Sequence, residues 1–169
     1  RHNIREGVRV CGSPQRVVPH IKTHKSADVL RLQMEAGMTS FKCATLREAE
    51  LLAEGGVEEI IVAYPLLHPE KIRRLMELMQ RHPAIELKVI ASAPEHLDAL
   101  SEAALAHKQE VGVYVDLDTG MHRTGVQPGD EAGRFYAQVA KTPALNALGV
   151  HIFDGQTLYK PEISERRAL

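Results

Sequence analysis

The feature that most constrains the fold is an alternation of strand-like and helix-like segments along the whole chain. Apolar, β-branched runs typical of strands buried on both faces alternate with segments whose apolar residues recur at helical spacing. Strands that are separated by helices pair in parallel through right-handed crossovers. The pattern predicts six strands, at residues 17–23, 40–44, 59–64, 85–91, 111–117 and 145–153.

Helix starts support this division. Thr45 and Glu48 form a capping box, in which a threonine side chain and a glutamate side chain bind the first free amides of a helix. Ser92 and Glu95 have the same spacing and predict a second capping box.

Two α/β architectures fit the alternation, an open doubly wound sheet and part of an eight-stranded β/α barrel. No G-x-G-x-x-G follows the first predicted strand, which weakens the dinucleotide-binding form of the open sheet. A complete barrel needs about 250 residues, so 169 residues supply about six of eight units. We predict one truncated barrel domain over residues 1–169. Helix-like sequence at both ends suggests that the chain is cut there.

Composition excludes several classes of partner. A net charge of −1 with mixed signs gives no electrostatic basis for binding nucleic acid or a membrane surface. No apolar run approaches the roughly 20 residues of a membrane span. Two cysteines, Cys11 and Cys43, make no disulfide framework, which predicts a reducing cytoplasm. Cys43 lies in a predicted strand, where a small buried side chain is expected rather than a nucleophile.

The ends of the predicted strands carry the ionisable residues. In a β/α barrel the loops after the strands build the active site. The first strand ends in His20, Lys22 and His24, and strand residues two apart share a face. Neighbouring positive charge and partial desolvation disfavour an ammonium, and a neutral amine is the nucleophile that condenses with an aldehyde. The alternative is that Lys22 is a solvated loop lysine.

The last two predicted strands also end in polar residues. The fifth leads through Asp116 and Asp118 into DTGMHRTG, which contains Arg123, and the sixth ends near His151. The two aspartates could orient Arg123, or could shape the loop through an ion pair. The remaining histidines of helices and loops are expected on the solvated surface: His68, His82, His96 and His107.

Five motifs in order, PHIKTHK, CATLREAE, AYP, DTGMHRTGV and GVHIFDG, carry a family resemblance over residues 17–155. With them the chain resembles the D-threonine aldolase and D-serine dehydratase family. That family belongs with alanine racemase among the pyridoxal phosphate (PLP) enzymes built on a β/α barrel. PHxKxHK and DTGMHRTG are the specific motifs, whereas CATLREAE alone would be weak.

The resemblance implies roles for three residues. Lys22 matches the lysine that holds PLP as a Schiff base. Arg123 matches the arginine that reaches the cofactor's phenolic oxygen and the substrate carboxylate, a task suited to a charged, planar guanidinium. His151 matches a histidine that lies against the pyridine ring; its alternative is a packed core histidine.

Three further residues are candidates for the cofactor site. His20 and His24 either tune Lys22 or fill the barrel mouth. Tyr64 either contacts the cofactor or packs at its strand end.

The resemblance implies a PLP-dependent lyase or aldolase that acts on a β-hydroxy D-amino acid. The alternatives are an amino-acid racemase of the same fold and a non-catalytic PLP-binding protein. The family also implies a homodimer and a divalent metal, Zn or Mn, whose ligands lie in a C-terminal region outside this chain. We therefore expect the 169-residue chain alone to be inactive. Gln156 follows the last motif where some aldolase-like relatives carry histidine, which puts aldol cleavage in doubt.

Overall fold

The computed structural model describes residues 1–167 and contains one parallel sheet with helices packed against it. The strands lie side by side in chain order, each parallel to the next. They are β1 (Ser40–Cys43), β2 (Glu59–Val62), β3 (Glu86–Ala91), β4 (Val111–Leu117) and β5 (Leu145–Ile152). The predicted parallel α/β architecture is therefore confirmed.

The α-helices alternate with these strands as the apolar periodicity predicts. They are α1 (His2–Cys11), α2 (Ala27–Glu35), α3 (Leu46–Glu54), α4 (Pro69–Arg81), α5 (Pro94–His107), α6 (Asp130–Lys141) and α7 (Ile163–Arg167). The helix-like sequence at the end forms α7, and residues 168–169 of that prediction lie outside the described residues. No helix within residues 1–167 is long and apolar enough to cross a membrane.

The predicted first strand is wrong. Residues 17–23 contribute one bridge residue, His20, which pairs in parallel with Lys42 of β1. Pro19 has no amide hydrogen for a ladder, although its carbonyl accepts a hydrogen bond from the Lys42 amide at 2.8 Å. The chain then turns into a short 3₁₀ helix, Ile21–Thr23. His20, Lys22 and His24 consequently do not share one strand face.

The two faces of the sheet differ in chemistry. Across β1 to β4 the outer face is apolar and buried against the helices, as shown by Phe41, Ile60, Val89 and Val113, each 0% exposed. The inner face carries ionisable groups: Lys42 of β1 and Lys88 of β3 lie level with each other, with Ile61 of β2 between them. Because side chains alternate along a strand, the same five strands present a core on one side and ionisable groups on the other.

A β-bulge in β5 changes which side chains face inward. Val113 is paired with Ala147, whereas Tyr114 is paired with Gly149, so one extra residue, Leu148, lies between the two pairs. An extra residue reverses the alternation beyond it. As a result His151 lies opposite Asp116 on the inner face.

The first predicted capping box forms in part, because the Glu48 carboxylate binds the amide of Ala44 rather than that of the N-cap residue Thr45. The Glu48 amide donates to Thr45 Oγ1 at 3.2 Å, and the Glu48 carboxylate accepts from the Ala44 amide at 2.8 Å. At the second site Pro94 begins α5, so that Ala93 becomes the N-cap residue and no side chain caps the helix.

At this predicted capping box, a histidine side chain rather than that of Glu95 binds the amide of Ser92. The Ser92 amide donates to His96 Nδ1 at 3.2 Å. His96 is half-buried, and burial lowers its pKa below 6.5, the ordinary value. The expectation of a solvated His96 is therefore wrong.

The outer face of β5 leads to a testable prediction about the chain produced alone. Val150 is 52% exposed and Ile152 is 51% exposed, on a strand that has no neighbour on one side among residues 1–167. Such an edge promotes association between chains. We expect the isolated 169-residue chain to self-associate, and Ile152→Lys to reduce the mass measured by light scattering. A monodisperse monomer that unfolds cooperatively would contradict this expectation.

Candidate active site

The ionisable side chains converge at the carboxyl ends of the strands, where two cations lie near the ring of Phe153. Lys22 Nζ is 5.7 Å from the ring centroid, and Arg123 Cζ is 4.6 Å from it. Both distances are within the range of cation–π attraction. Residues that are a hundred positions apart in sequence are thus held around one aromatic ring.

Lys22 is held by its backbone rather than by its side chain. Its neighbour Ile21 is 0% exposed and anchors the 3₁₀ helix in the core. The Lys22 side chain is exposed, and within residues 1–167 it forms no ion pair with a carboxylate. The arrangement leaves this primary amine accessible to a ligand.

His20 is kept neutral beside Lys22. Burial, and after it the positive charges of Lys22 and Lys42, together lower its pKa to about 4. Its Nδ1 accepts a hydrogen bond from the Lys22 amide at 3.3 Å, which requires that nitrogen to be unprotonated. The neutral imidazole therefore stabilises the turn that carries Lys22.

The depressed pKa of His20 predicts how stability depends on pH. Between about pH 4 and pH 6.5 the folded protein holds fewer protons at His20 than the unfolded chain does, so stability falls as the pH is lowered through this window. His20→Asn keeps an acceptor for the Lys22 amide but does not titrate. We expect this variant of the full-length protein to lose less melting temperature between pH 7 and pH 4 than the wild type. Equal losses in both proteins would rule out His20 as the cause.

His151 is held at both ring nitrogens. Nδ1 is 2.6 Å from Asp116 Oδ1, and Nε2 is 2.8 Å from Lys42 Nζ. Asp116 is 2% exposed, and its second oxygen accepts a hydrogen bond from Thr124 Oγ1 at 2.7 Å. Thr124 belongs to the DTGMHRTG segment, so this network ties the loop of Arg123 to β5.

Lys42 is a residue that sequence reasoning missed. It lies in β1, on the inner face, because it alternates with the buried Phe41 and Cys43. Burial lowers its pKa, the charge of Asp116 opposes that change, and the charge of Lys22 adds to it. The period-two pattern of SFKC was the available signal, since it places a lysine opposite the core face.

The DTGMHRTG loop is shaped by Asp118. One of its oxygens accepts hydrogen bonds from the Gly120 and His122 amides at 3.0 and 2.9 Å, and the other is 2.9 Å from His122 Nδ1. These bonds to the charged form lower the pKa of Asp118 to about 2. Neither Asp118 nor Asp116 is hydrogen-bonded to Arg123 among the described contacts. Of the two predicted roles, the structure supports shaping the loop.

Gly125 closes the same loop against the end of β4. The Asp118 amide donates to the Val126 carbonyl, and the Val126 amide donates to the Asp116 carbonyl, both at 2.9 Å. Gly125 has φ +115°, and a Cβ built there would lie 2.3 Å from the Asp118 nitrogen. Only glycine fits between these backbones.

His24 and Tyr64 are not joined by hydrogen bonds to the network of Lys42, His151 and Asp116 in the described part of the chain. His24 Nδ1 accepts from the Ser26 amide at 3.1 Å, while its Nε2 is buried without a partner. Tyr64 is 47% exposed just beyond β2. Gln156 is bonded to the DTGMHRTG loop instead, since its Nε2 donates to the Thr119 carbonyl at 2.8 Å.

A metal centre is not formed by these residues. Within residues 1–167 no three His, Cys, Asp or Glu side chains are placed to hold a metal ion. The side chains of the site are mainly cationic or aromatic, which suits an anionic organic ligand better than a cation.

Comparison with known proteins shows a consistent set of relatives. The chain is 30% identical over 150 residues to the 3-hydroxy-D-aspartate aldolase of Paracoccus denitrificans (strain Pd 1222), which covers 88% of the chain and 38% of that protein. It is 29% identical to the D-threo-3-hydroxyaspartate dehydratase of Delftia sp. (strain HT23), over 92% of the chain and 37% of the relative. The chain therefore spans less than half the length of these curated relatives.

A solved structure agrees with these relatives. The crystal structure of D-threonine aldolase from Filomicrobium marinum superimposes with a TM-score of 0.90 at 28% identity, over 99% of the chain and 45% of that protein. The predicted resemblance to D-threonine aldolases and the predicted partial barrel of the alanine racemase type are confirmed. The family model for the N-terminal domain of alanine racemase matches residues 1–158. The chain belongs to the alanine racemase N-terminal domain family.

Proposed function

We propose that the full-length protein is a PLP-dependent lyase acting on a β-hydroxy D-amino acid, of the D-threonine aldolase or D-serine dehydratase type. Lys22 would hold the cofactor as a Schiff base. Relatives named as an aldolase and a dehydratase of 3-hydroxyaspartate support this proposal, as does the fit to D-threonine aldolase.

The observation that carries the proposal is the placement of Lys22 and Arg123 over the ring of Phe153. The pair supplies a primary amine and a guanidinium near the same aromatic ring, where one bound molecule would meet both. An aldehyde reacts with the amine, and an anionic oxygen binds to the guanidinium.

The donor set also fits the charge of the proposed cofactor, which carries a phosphate and an ionised phenol. Four cationic or imidazole groups, Lys22, Lys42, His20 and His151, influence one another electrostatically here, and Arg123 adds a permanent positive charge. His24 Nε2 carries the ring proton, because Nδ1 accepts a hydrogen bond, and it is a buried donor that still lacks an acceptor. The lysines and Arg123 therefore offer positively charged donors to an anionic ligand.

Each residue then has a defined task. PLP would supply an electron sink for the bond to the α-carbon that breaks. Lys22 would hold the cofactor and, once released, accept a proton at Nζ. Arg123 would bind an anionic oxygen of the cofactor or the substrate carboxylate, while Asp118 keeps its loop in place. His151 would present its ring to the cofactor, with its orientation fixed by Asp116.

A racemase of the same fold is the second candidate, and it is favoured by the match to the alanine racemase family model. A non-catalytic PLP-binding protein is the third. We also propose that the full-length protein is a cytoplasmic homodimer. A divalent metal, Zn or Mn, would bind to residues outside this chain, since residues 1–167 do not supply three ligands.

The deciding experiment is an assay of the full-length protein with PLP. D-threonine, D-serine and 3-hydroxy-D-aspartate are each supplied with and without a chelator, and D-alanine is supplied to test racemisation. We expect carbonyl product from at least one β-hydroxy D-amino acid, and loss of turnover after chelation. Interconversion of alanine enantiomers without lyase activity would favour the racemase. Bound cofactor without any turnover would favour the carrier.

A further inference from the structure

Lys42 lies on the inner face of β1 and meets a histidine that comes from the opposite end of the sheet. Its Nζ is 2.8 Å from His151 Nε2, and His151 Nδ1 is 2.6 Å from Asp116 Oδ1. Three side chains from β1, β4 and β5 thus form one hydrogen-bonded line. Both the Lys42 and His151 side chains are partly buried, and Asp116 is almost completely buried.

The protons in this line follow from the chemistry of its ends. An ionised carboxylate only accepts hydrogen bonds, so His151 Nδ1 must carry the proton that binds Asp116. An ammonium only donates, so His151 Nε2 must accept from Lys42. The ring is thereby fixed as the neutral tautomer with its proton on Nδ1.

We propose that Lys42 is a positioning residue, which fixes the tautomer of His151 by donating a proton in a hydrogen bond from Nζ to Nε2. The catalytic importance of this pair rests on the proposed function, whereas the tautomer does not.

Several charges surround this hydrogen bond. Burial and the charge of Lys22 destabilise an ammonium at Lys42 and thereby lower its pKa. At His20 the charge of Glu48 opposes the charges of Lys22 and Lys42, and Asp116 faces both Lys42 and His151. Lys88 lies level with Lys42 two strands away, but Glu59 and Glu86 pair with it at 2.7 and 2.8 Å.

The ring nitrogens of His151 can be observed directly. The full-length protein, with and without PLP, is labelled with ¹⁵N-histidine, and long-range ¹H–¹⁵N spectra report which nitrogen is protonated. His151→Gln identifies the signal. At pH 7 we expect Nδ1 protonated and Nε2 unprotonated in the wild type. A proton on Nε2 with Nδ1 bare would overturn the proposal without any Lys42 variant.

Variants then test the role of Lys42. In Lys42→Met the neighbouring positive charge is lost. The pH at which half of the His151 rings are doubly protonated should therefore be higher than in the wild type by about one pH unit or more. Lys42→Arg should restore the wild-type midpoint, and Lys88→Met, a lysine of the same face, should not move it. An unchanged midpoint in Lys42→Met would overturn the proposal. If Lys42→Met does not fold, Lys42→Gln is used for the same measurement. The cofactor-free measurement is independent of whether the protein proves to be a lyase.

Discussion

Borohydride treatment of the full-length protein loaded with PLP should attach the cofactor irreversibly to Lys22. In Lys22→Ala we expect the covalent label and the visible absorbance of the bound cofactor to be lost completely, together with turnover, because no other exposed amine lies over Phe153 in the described part of the chain. Peptide mass spectrometry after reduction measures the site of attachment.

A neighbouring lysine provides the control for this experiment. Lys25 is also exposed and lies only three residues away, but its Nζ is directed to Glu48 at a distance of 3.4 Å. Lys25→Arg should retain the label on Lys22. A label on Lys42 instead would show that the partly buried amine, rather than the exposed one, holds the cofactor, and the assignment of Lys22 would be wrong.

Gly125→Ala should be among the most damaging single substitutions outside the core. A Cβ at this position would lie 2.3 Å from the Asp118 nitrogen and 2.5 Å from the Leu117 carbonyl carbon, so the backbone must move. Overpacking and an unfavourable φ together cost at least about 3 kcal/mol of unfolding free energy. Because the loop carries Arg123, we also expect weaker binding of PLP, measured by titration of its absorbance.

Gly129→Ala is the matched control. Gly129 has φ +97°, also in the region that favours glycine, but a Cβ there has no atom within 4 Å. This variant bears only the conformational cost, on the order of 1–2 kcal/mol in urea unfolding. Equal losses of stability in the two variants would show that the contact with Asp118 and Leu117 is unimportant.

Much of the fold could be predicted because the strands β2, β3 and β4 are each apolar enough to be buried beneath a layer of helices. That composition predicts strands at residues 59–64 and 111–117, and the structure forms Glu59–Val62 and Val111–Leu117 there. The segment at residues 17–23 has the same β-branched beginning, yet it forms only one bridge. Pro19 and the hydrogen bond to the His20 ring turn the chain, and such local competition is not visible in a strand pattern.

The candidate site was predicted in part, for a similar reason. Lys22 and Arg123 were identified from their motifs, and the structure places them on one ring. Lys42 was overlooked because its importance depends on His151, which is 109 residues later in the sequence. The pairing of His151 with Asp116 depends on the bulge in β5, and period-two reasoning assumes that no residue is extra.

That bulge makes the tolerance of β5 to changes in length unequal. The strand already contains one residue more than its partner needs between Ala147 and Gly149. Losing Leu148 would restore simple alternation and leave His151 opposite Asp116. Gaining a residue would require a second irregularity, or else would turn the imidazole away from the lysine and toward the helices. In β5, natural or engineered deletions of one residue should therefore be tolerated better than insertions.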